Sequence, residues 1–296
     1  MNRNFKTILA VGMTAVLVAC GSSKSAAEPQ PASGSADDSQ VAGESIDPQR
    51  VANRNVAFDQ YFEEIKPDAA PAKPDDKGFI RRWTIIEPIN KPNSGNTVFT
   101  DSYIQTELTK EYFPGQFSAD INSLPKAGDQ VIVESEAPRA GGRGGFGGGR
   151  PAAGAQAAPA APATVKDTLE WHSVDSKLFN IKLIRFATGL TNGQKRYGLI
   201  FNAFTVINCE QDMVVRLAAG SNASSIWWVN GEKVLTLQAD RRMVADDGMS
   251  KRVTLKKGKN LVRAAVINGP GMSDMCMRFY EEDGTTVVKN ITITNK

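Results

Sequence analysis

Two adjacent tryptophans, Trp227 and Trp228, are followed closely by an arginine pair, Arg241-Arg242, and an aspartate pair, Asp246-Asp247. Flat aromatic surfaces stack against the C–H faces of sugar rings, while arginine and aspartate side chains hydrogen-bond hydroxyl groups. Successive residues of a strand face opposite sides of a sheet. One tryptophan can therefore fill a core while its neighbour serves an outer face or rim; the alternative is that both serve packing. Trp171 and His172 are loop candidates for the same surface. His172 is also the only histidine, three residues before Asp175, and so the only imidazole base available to a hydrolase triad. The other reading is a hydrogen-bonding residue at a loop end. Gly271-Met272-Ser273-Asp274-Met275 carries the first glycine and the serine of a nucleophile elbow but lacks the second glycine. Asp240, Asp246 and Asp247 could supply a carboxylate pair for glycoside cleavage, or the oxygen donors of a structural calcium. Asp246-Asp247-Gly248 equally suits a solvated turn. We assign no catalytic residue, no metal site and no cofactor from these patterns. One histidine and three cysteines exclude a zinc-finger array. Cys209 and Cys276 fall in expected strands, either as a disulfide of an exported protein or as two buried thiols.

The amino terminus reads as an address. Arg3 and Lys6 precede an apolar run from Ile8 to Ala19. At about 12 residues it is too short to span a bilayer as a helix, and suits the apolar region of a secretory signal. Leu17-Val18-Ala19-Cys20 then resembles the bacterial lipobox. The resemblance implies cleavage of residues 1–19 and acylation of Cys20, giving a lipid-anchored protein of the cell envelope. Gly21 rather than aspartate after that cysteine favours the outer membrane, by resemblance to enteric sorting signals.

Of 296 residues, 41% are hydrophobic and 23% charged, enough for a buried core in one large domain or two small ones. A net charge of +3 argues against a dedicated nucleic-acid partner. The charge is unevenly spread: Gly21–Asp76 holds 11 acidic and 5 basic residues, whereas Lys77–Lys296 holds 28 basic and 21 acidic. Residues 20–76 therefore read as an acylated cysteine with a flexible acidic leash. Within it Phe58, Phe62 and Ile65 share the spacing of one helical face, which predicts a short helix over 56–66. Between Ala137 and Ala163, 22 of 27 residues are Gly, Ala or Pro. This stretch has little side-chain surface to bury and is expected to be a long disordered loop insertion.

The body, residues 77–296, reads as strands. Phe79–Ile86 and Val131–Val133 are strand candidates, with a helix from Thr100 or Asp101 to about Tyr112 between them. Beyond the insertion come Tyr197–Ile207, Met213–Leu217, Ser225–Val229, Lys233–Leu237, Arg252–Leu255, Asn260–Ile267, Met275–Tyr280 and Val287–Ile293. Asn230-Gly231 marks a hairpin. Lys256-Lys257-Gly258-Lys259 and Asp283-Gly284 are expected to close two more. Short strands at this spacing point to an all-β, antiparallel sandwich.

Four segments in order carry a family resemblance. Phe79-Ile80-Arg81-Arg82-Trp83-Thr84-Ile85-Ile86-Glu87-Pro88-Ile89 resembles the opening strand of galactose-binding-like jelly rolls in Bacteroidetes-type glycan-utilisation lipoproteins. Ile226 to Val234 resembles their central strand and Asn-Gly hairpin, Leu255 to Val262 their late turn, and Gly269 to Phe279 their closing loop and arginine-containing strand. The resemblance implies one jelly-roll domain that the insertion interrupts, because the family's first strand lies before it and the others after it. In that family the fold is appended to glycoside hydrolases and acetylxylan esterases, or stands alone on a lipoprotein. It implies a non-catalytic carbohydrate-binding or carbohydrate-presenting protein of a polysaccharide-degrading system. Its partners would be a polysaccharide or oligosaccharide, the membrane through the lipid, and glycan-degrading proteins. Two alternatives stand beside it: a carbohydrate esterase or glycosidase component using His172 or the acidic turn, and a structural assembly module of the envelope.

Overall fold

The computed structural model describes residues 54–90, 106–136, 164–190, 199–239, 241–267 and 273–296. The most apolar run, Leu199–Cys209, becomes strand β6 and is buried along almost its whole length on both faces. It is the spine of the larger of two antiparallel sheets. Around it lie β1 (Phe62–Glu64), β2 (Arg82–Ile86), β5 (Thr164–Ser176), β8 (Ser224–Val229), β9 (Glu232–Leu237) and β11 (Gly258–Ile267). Their order is β1-β5-β2-β6-β11-β8-β9. Short β3 (Ile89–Asn90) and β13 (Ile291–Thr294) also pair with β6, and β4 (Gln130–Glu136) pairs with β5. The smaller sheet has the order β10-β7-β12, from β10 (Gly248–Leu255), β7 (Met213–Ser221) and β12 (Met275–Glu281).

Strand alternation decides which side chains meet. One row of the large sheet, including Trp83, Ile85, Ala203, Trp227 and Val262, faces Val215, Leu217, Met277 and Phe279 of the small sheet in the main core. Trp83 and Trp227 meet edge to face there, with ring centroids 6.1 Å apart. Residues before and after the Gly/Ala/Pro segment thus share one core. That segment joins paired strands, since Glu136 of β4 lies opposite Thr164 of β5. The other row of the large sheet, including Ile86, Trp171, Ile200 and Phe204, builds a second core under Leu108, Tyr112, Phe113 and Leu124. Arg263 on β11 holds this cover down: its Nε and Nη2 donate to the Ser118 carbonyl, at 3.2 and 2.8 Å. Burial without a carboxylate beside it lowers the Arg263 pKa to about 10, so the guanidinium stays charged at neutral pH.

Several expectations are corrected. The Asn230-Gly231 turn does close the β8–β9 hairpin, both residues having positive φ (51° and 82°). The other two turns do not close hairpins between the strands they join. β10 pairs with β7 in the small sheet while β11 pairs with β6 and β8 in the large one, so Lys256-Lys257 carries the chain across the sandwich. Burial explains why: β10 alternates polar and apolar residues on a half-solvated sheet, whereas β11 is buried on both faces. Asn260 shapes that corner, accepting from Lys256 N at 2.8 Å and donating to the Lys256 carbonyl at 2.7 Å. After Asp283-Gly284 there is one bridge, Tyr280 to Val287, before β13 departs to pair with β6.

The short helix, α1, spans Arg54–Tyr61 and stops where Phe62 begins β1. Phe58, Phe62 and Ile65 are all buried, but the last two reach the core from extended chain. Strand pairing, Phe62 opposite Ser176, takes over from helical periodicity. Within the expected leash, residues 62–64 pair with β5 and Ala72 bridges to Ile293, while residues 66–71 between them are exposed. A second helix, α2 (Leu183–Leu190), buries Leu183, Ile184, Phe186 and Ala187 and packs against α1. Of the helix expected to end near Tyr112, only Thr106–Glu107 is helical among the described residues, and the chain bends from Leu108. Cys209 and Cys276 are both free, buried thiols on different sheets, which corrects the disulfide alternative. Burial pushes the Cys276 thiol up to about 12.

Candidate functional site

The outer face of the small sheet gathers chemistry. On β12, Met277 and Phe279 point into the main core, so Arg278 and Tyr280 must point outward. A strap formed by residues 241–247 crosses this face. Its Ala239 and Asp246 neighbourhood is tightly bent: both residues have positive φ, 80° and 58°. Aspartate tolerates that conformation better than most residues because its short side chain bonds locally. Gly220 of β7 lets the strap lie close, since a Cβ there would sit 1.8 Å from the Val244 carbonyl oxygen. The strap's start is held where Ala223 N donates to the Arg241 carbonyl at 3.2 Å.

Asp246 is thereby placed over Arg278. Arg278 Nε donates to Asp246 Oδ1 at 3.0 Å, and Nη2 donates to Oδ2. Tyr280 Oη donates to the same Oδ2 at 2.8 Å, and Arg278 Nη1 donates to the Lys77 carbonyl at 2.7 Å. The guanidinium lies over the rings of Phe79 (4.6 Å) and Tyr280 (4.9 Å). Phe179, 40% exposed, packs against Phe79 with ring centroids 4.9 Å apart and planes tilted by 50°. Asp246 raises the Arg278 pKa, and burial followed by the Asp246 hydrogen bond raises that of Tyr280, so the phenol keeps its donor proton. The result is a fixed cluster of two charges and three aromatic rings, of which Phe79 is buried, Tyr280 half-buried and Phe179 exposed. The ring it can offer a polyhydroxylated ligand is that of Phe179, beside the polar edge of Asp246, Arg278 and Tyr280.

The expected site residues distribute unequally. Arg241, Asp246 and Asp247 come together on the strap, Arg241 Nε lying 3.1 Å from Asp247 Oδ2. Arg242 is exposed beside them. Each aspartate of the pair is thus committed to an arginine, rather than to an acid–base couple or a shared cation. Asp240 and Cys20 lie outside the described residues. Among the described residues, no group of three His, Cys, Asp or Glu side chains could hold a metal ion. Trp227 is wholly buried and packs in the main core. Trp228 is half-buried on the opposite face against Phe117, with centroids 5.3 Å apart. Trp171 belongs to strand β5, not to a loop, and is buried in the second core. His172 follows it on the inner side, edge-on to Phe186 of α2 (5.6 Å).

His172 Nε2 lies 3.7 Å from Glu87 Oε1, ion-pair range but outside hydrogen-bond length. His172 is the largest cause holding the Glu87 carboxyl below its usual value, outweighing burial; the Glu170 N–H adds to it. Stability from a depressed carboxyl is present above its unfolded pKa, about 4.3, and fades as pH falls through the folded value. Glu87→Gln should therefore lower the urea midpoint at pH 7 and match the unmodified chain near pH 2. Equal midpoints at both pH values would show that the pair contributes nothing.

Sequence reasoning missed Phe179 and the role of Arg278, Tyr280 and Phe79. A signal existed: Arg278 and Tyr280, two apart on an expected strand, must share a face. What sequence could not show is that residues 30 and 200 positions away complete the cluster.

Fold and site together define an antiparallel β-sandwich with an arginine-centred aromatic cluster on its smaller sheet. No family model matches the sequence, and no curated protein does. Among solved structures, the chain is similar to a PA14 sugar-binding domain from an RTX adhesin, with a TM-score of 0.30 and 12% identity over 35% of this chain and 58% of that one. It is also similar to the PA14 domain of the antifreeze protein MpAFP (TM-score 0.33, 7% identity, 79% and 96% covered). A third likeness is to the β-glucosidase of Kluyveromyces marxianus in complex with glucose (TM-score 0.28, 14% identity, 78% and 28% covered).

Proposed function

We propose that this protein is a non-catalytic carbohydrate-binding lipoprotein of a polysaccharide-degrading system, held in the cell envelope, at the outer membrane, by acyl chains on Cys20. The observation that carries the binding reading is the Phe179–Phe79–Arg278–Tyr280 platform. Its arginine is already paired with Asp246, so an incoming sugar meets the exposed Phe179 ring backed by a fixed polar cluster rather than by mobile side chains. The anchoring rests on the lipobox-like Leu17-Val18-Ala19-Cys20 alone. His172 contacts Glu87 and Phe186 in this fold, and no serine or cysteine hydrogen-bonds to it among the described residues.

A glycan array probed with the full chain in detergent tests the reading. Retention of at least one polysaccharide is expected, with Phe179→Ala weakening it about threefold to tenfold, the worth of one aromatic stacking partner. No retained polysaccharide, with envelope proteins co-purifying instead, would replace this reading with the assembly module.

A further inference from the structure

A cleft of about 180 Å³ opens at the β1–β5–β2 end of the large sheet, away from the strap residues just described. Phe62, Trp83 and Val174 point into the main core, so their neighbours Glu63, Arg82 and Asp175 emerge on the opposite face. Register puts these three in one row, Glu63 opposite Asp175 and Asp175 opposite Arg82. Lys73, Arg81 and Lys177 complete the charged lining.

The charges do not cancel. Arg82 is only 7% exposed and takes both oxygens of Asp175, Nε to Oδ1 at 3.0 Å and Nη2 to Oδ2 at 2.6 Å, while Nη1 donates to the Ala70 carbonyl at 2.6 Å. The Asp175 charge is therefore spent on the floor of the cleft. Lys73 and Arg81 are exposed, and their side chains make no hydrogen bond or ion pair among the described residues. Lys177 donates only to the Asp59 carbonyl. Glu63 is the one remaining carboxylate against three uncompensated cations. A concave, cation-lined surface concentrates anions, and an arginine fork matches the planar geometry of a carboxylate or the oxygens of a sulfate. The volume is well below the roughly 300 Å³ at which drug-sized pockets begin, a size that suits a single sugar ring.

We propose that this cleft is a subsite for an acidic sugar residue, a ring bearing a carboxylate or a sulfate; the assignment rests on the carbohydrate-binding reading and narrows its ligand class. Arg81 and Lys177 grip the anionic group, and the Arg82–Asp175 pair forms a rigid floor beneath the ring.

Calorimetric titration of the full chain in detergent tests this, with an oligogalacturonide, a sulfated galactan oligosaccharide and a neutral xylo-oligosaccharide of equal length. At least one anionic ligand should bind about tenfold more tightly than the neutral one, and its advantage should shrink as ionic strength rises from about 0.05 to 0.5 M. Which of the two binds distinguishes carboxylate from sulfate. Arg81→Gln with Lys177→Gln should cost about tenfold in anionic affinity, two partly screened charge contacts, and leave neutral binding and the melting temperature unchanged. Arg82 is left in place because breaking a buried pair would unsettle the fold. Equal affinity for anionic and neutral ligands, or an unaffected double variant, overturns the acidic subsite and leaves carbohydrate binding standing. Failure of every saccharide to bind overturns both.

Discussion

Gly220→Ala will loosen the strap and cost about 2–4 kcal/mol of stability. The single added methyl would lie 1.8 Å from the Val244 carbonyl oxygen, 2.8 Å from its carbon and 3.3 Å from Cys276 Sγ. The first two are backbone atoms and cannot rotate away, so residues 241–247 must move. Overpacking of this kind typically costs about 1–3 kcal/mol. Displacing Asp246 adds the loss of charge-assisted hydrogen bonds to Arg278, whose side chain is only 16% exposed, worth about 1.5–3 kcal/mol before relaxation. Affinity for the retained glycan should fall by more than tenfold, because the platform loses the group that orients Arg278 and Tyr280. Asp246→Asn is the informative companion: it avoids the backbone clash but removes the charge and sets an NH2 against a donor from Arg278 or Tyr280, so it isolates the loss of those hydrogen bonds. A Gly220→Ala protein with an unchanged urea midpoint would mean that the strap does not rest on β7 as described.

Trp227→Ala should cost about 3–5 kcal/mol, whereas Trp228→Ala should cost about 1 kcal/mol and leave glycan retention intact. The two residues are neighbours in sequence, and strand alternation alone separates their fates. Trp227 is fully buried, lies edge-on to Trp83, and donates through Nε1 to Ser225 Oγ at 3.0 Å. Removing it leaves a large cavity and strips a buried hydroxyl of one partner, a loss comparable to much of a domain's net stability of about 5–15 kcal/mol. Trp228 has one face toward Phe117 and is only half-buried. Chemical denaturation and the glycan array measure both variants. Loss of glycan binding in a well-folded Trp228→Ala protein would move the site from the small sheet to the outer face of the large one.

The candidate site was partly legible. The aspartate and arginine pairs at 241–247 marked the segment that becomes the strap, because polar doublets between strands mark loops. The tryptophans pointed elsewhere. Trp171 sits in a 13-residue strand whose alternation is obscured by charged residues from Lys166 to Glu170, so the chain read as a loop there. Burial on both faces of the large sheet then consumed Trp171 and Trp227, because a second layer formed by Leu108, Tyr112 and Phe113 covers what would otherwise be an exposed surface. Nothing local in residues 106–126 announces that covering role. Helical spacing misled in the same way at Phe62 and Ile65, where pairing with β5 outweighed a marginal eight-residue helix.

Sequence by itself determined the class of structure and the position of nearly every strand after Tyr197, because alternation and turn chemistry are properties of adjacent residues. Asn230-Gly231 specifies its hairpin through backbone conformations that those residues adopt readily. Only the tertiary structure decided which sheet each strand joined. The polar corners at Lys256-Lys257 and Asp283-Gly284 allow either a hairpin or a passage across the sandwich, and the choice falls to the burial each following strand can find. β11 is apolar on both sides and gains most at the centre of the large sheet; β13 places Ile291 and Ile293 in the main core beside β6. That nonlocal competition for buried surface also brings Phe79, Phe179, Asp246 and Arg278 to one place, from four parts of the chain.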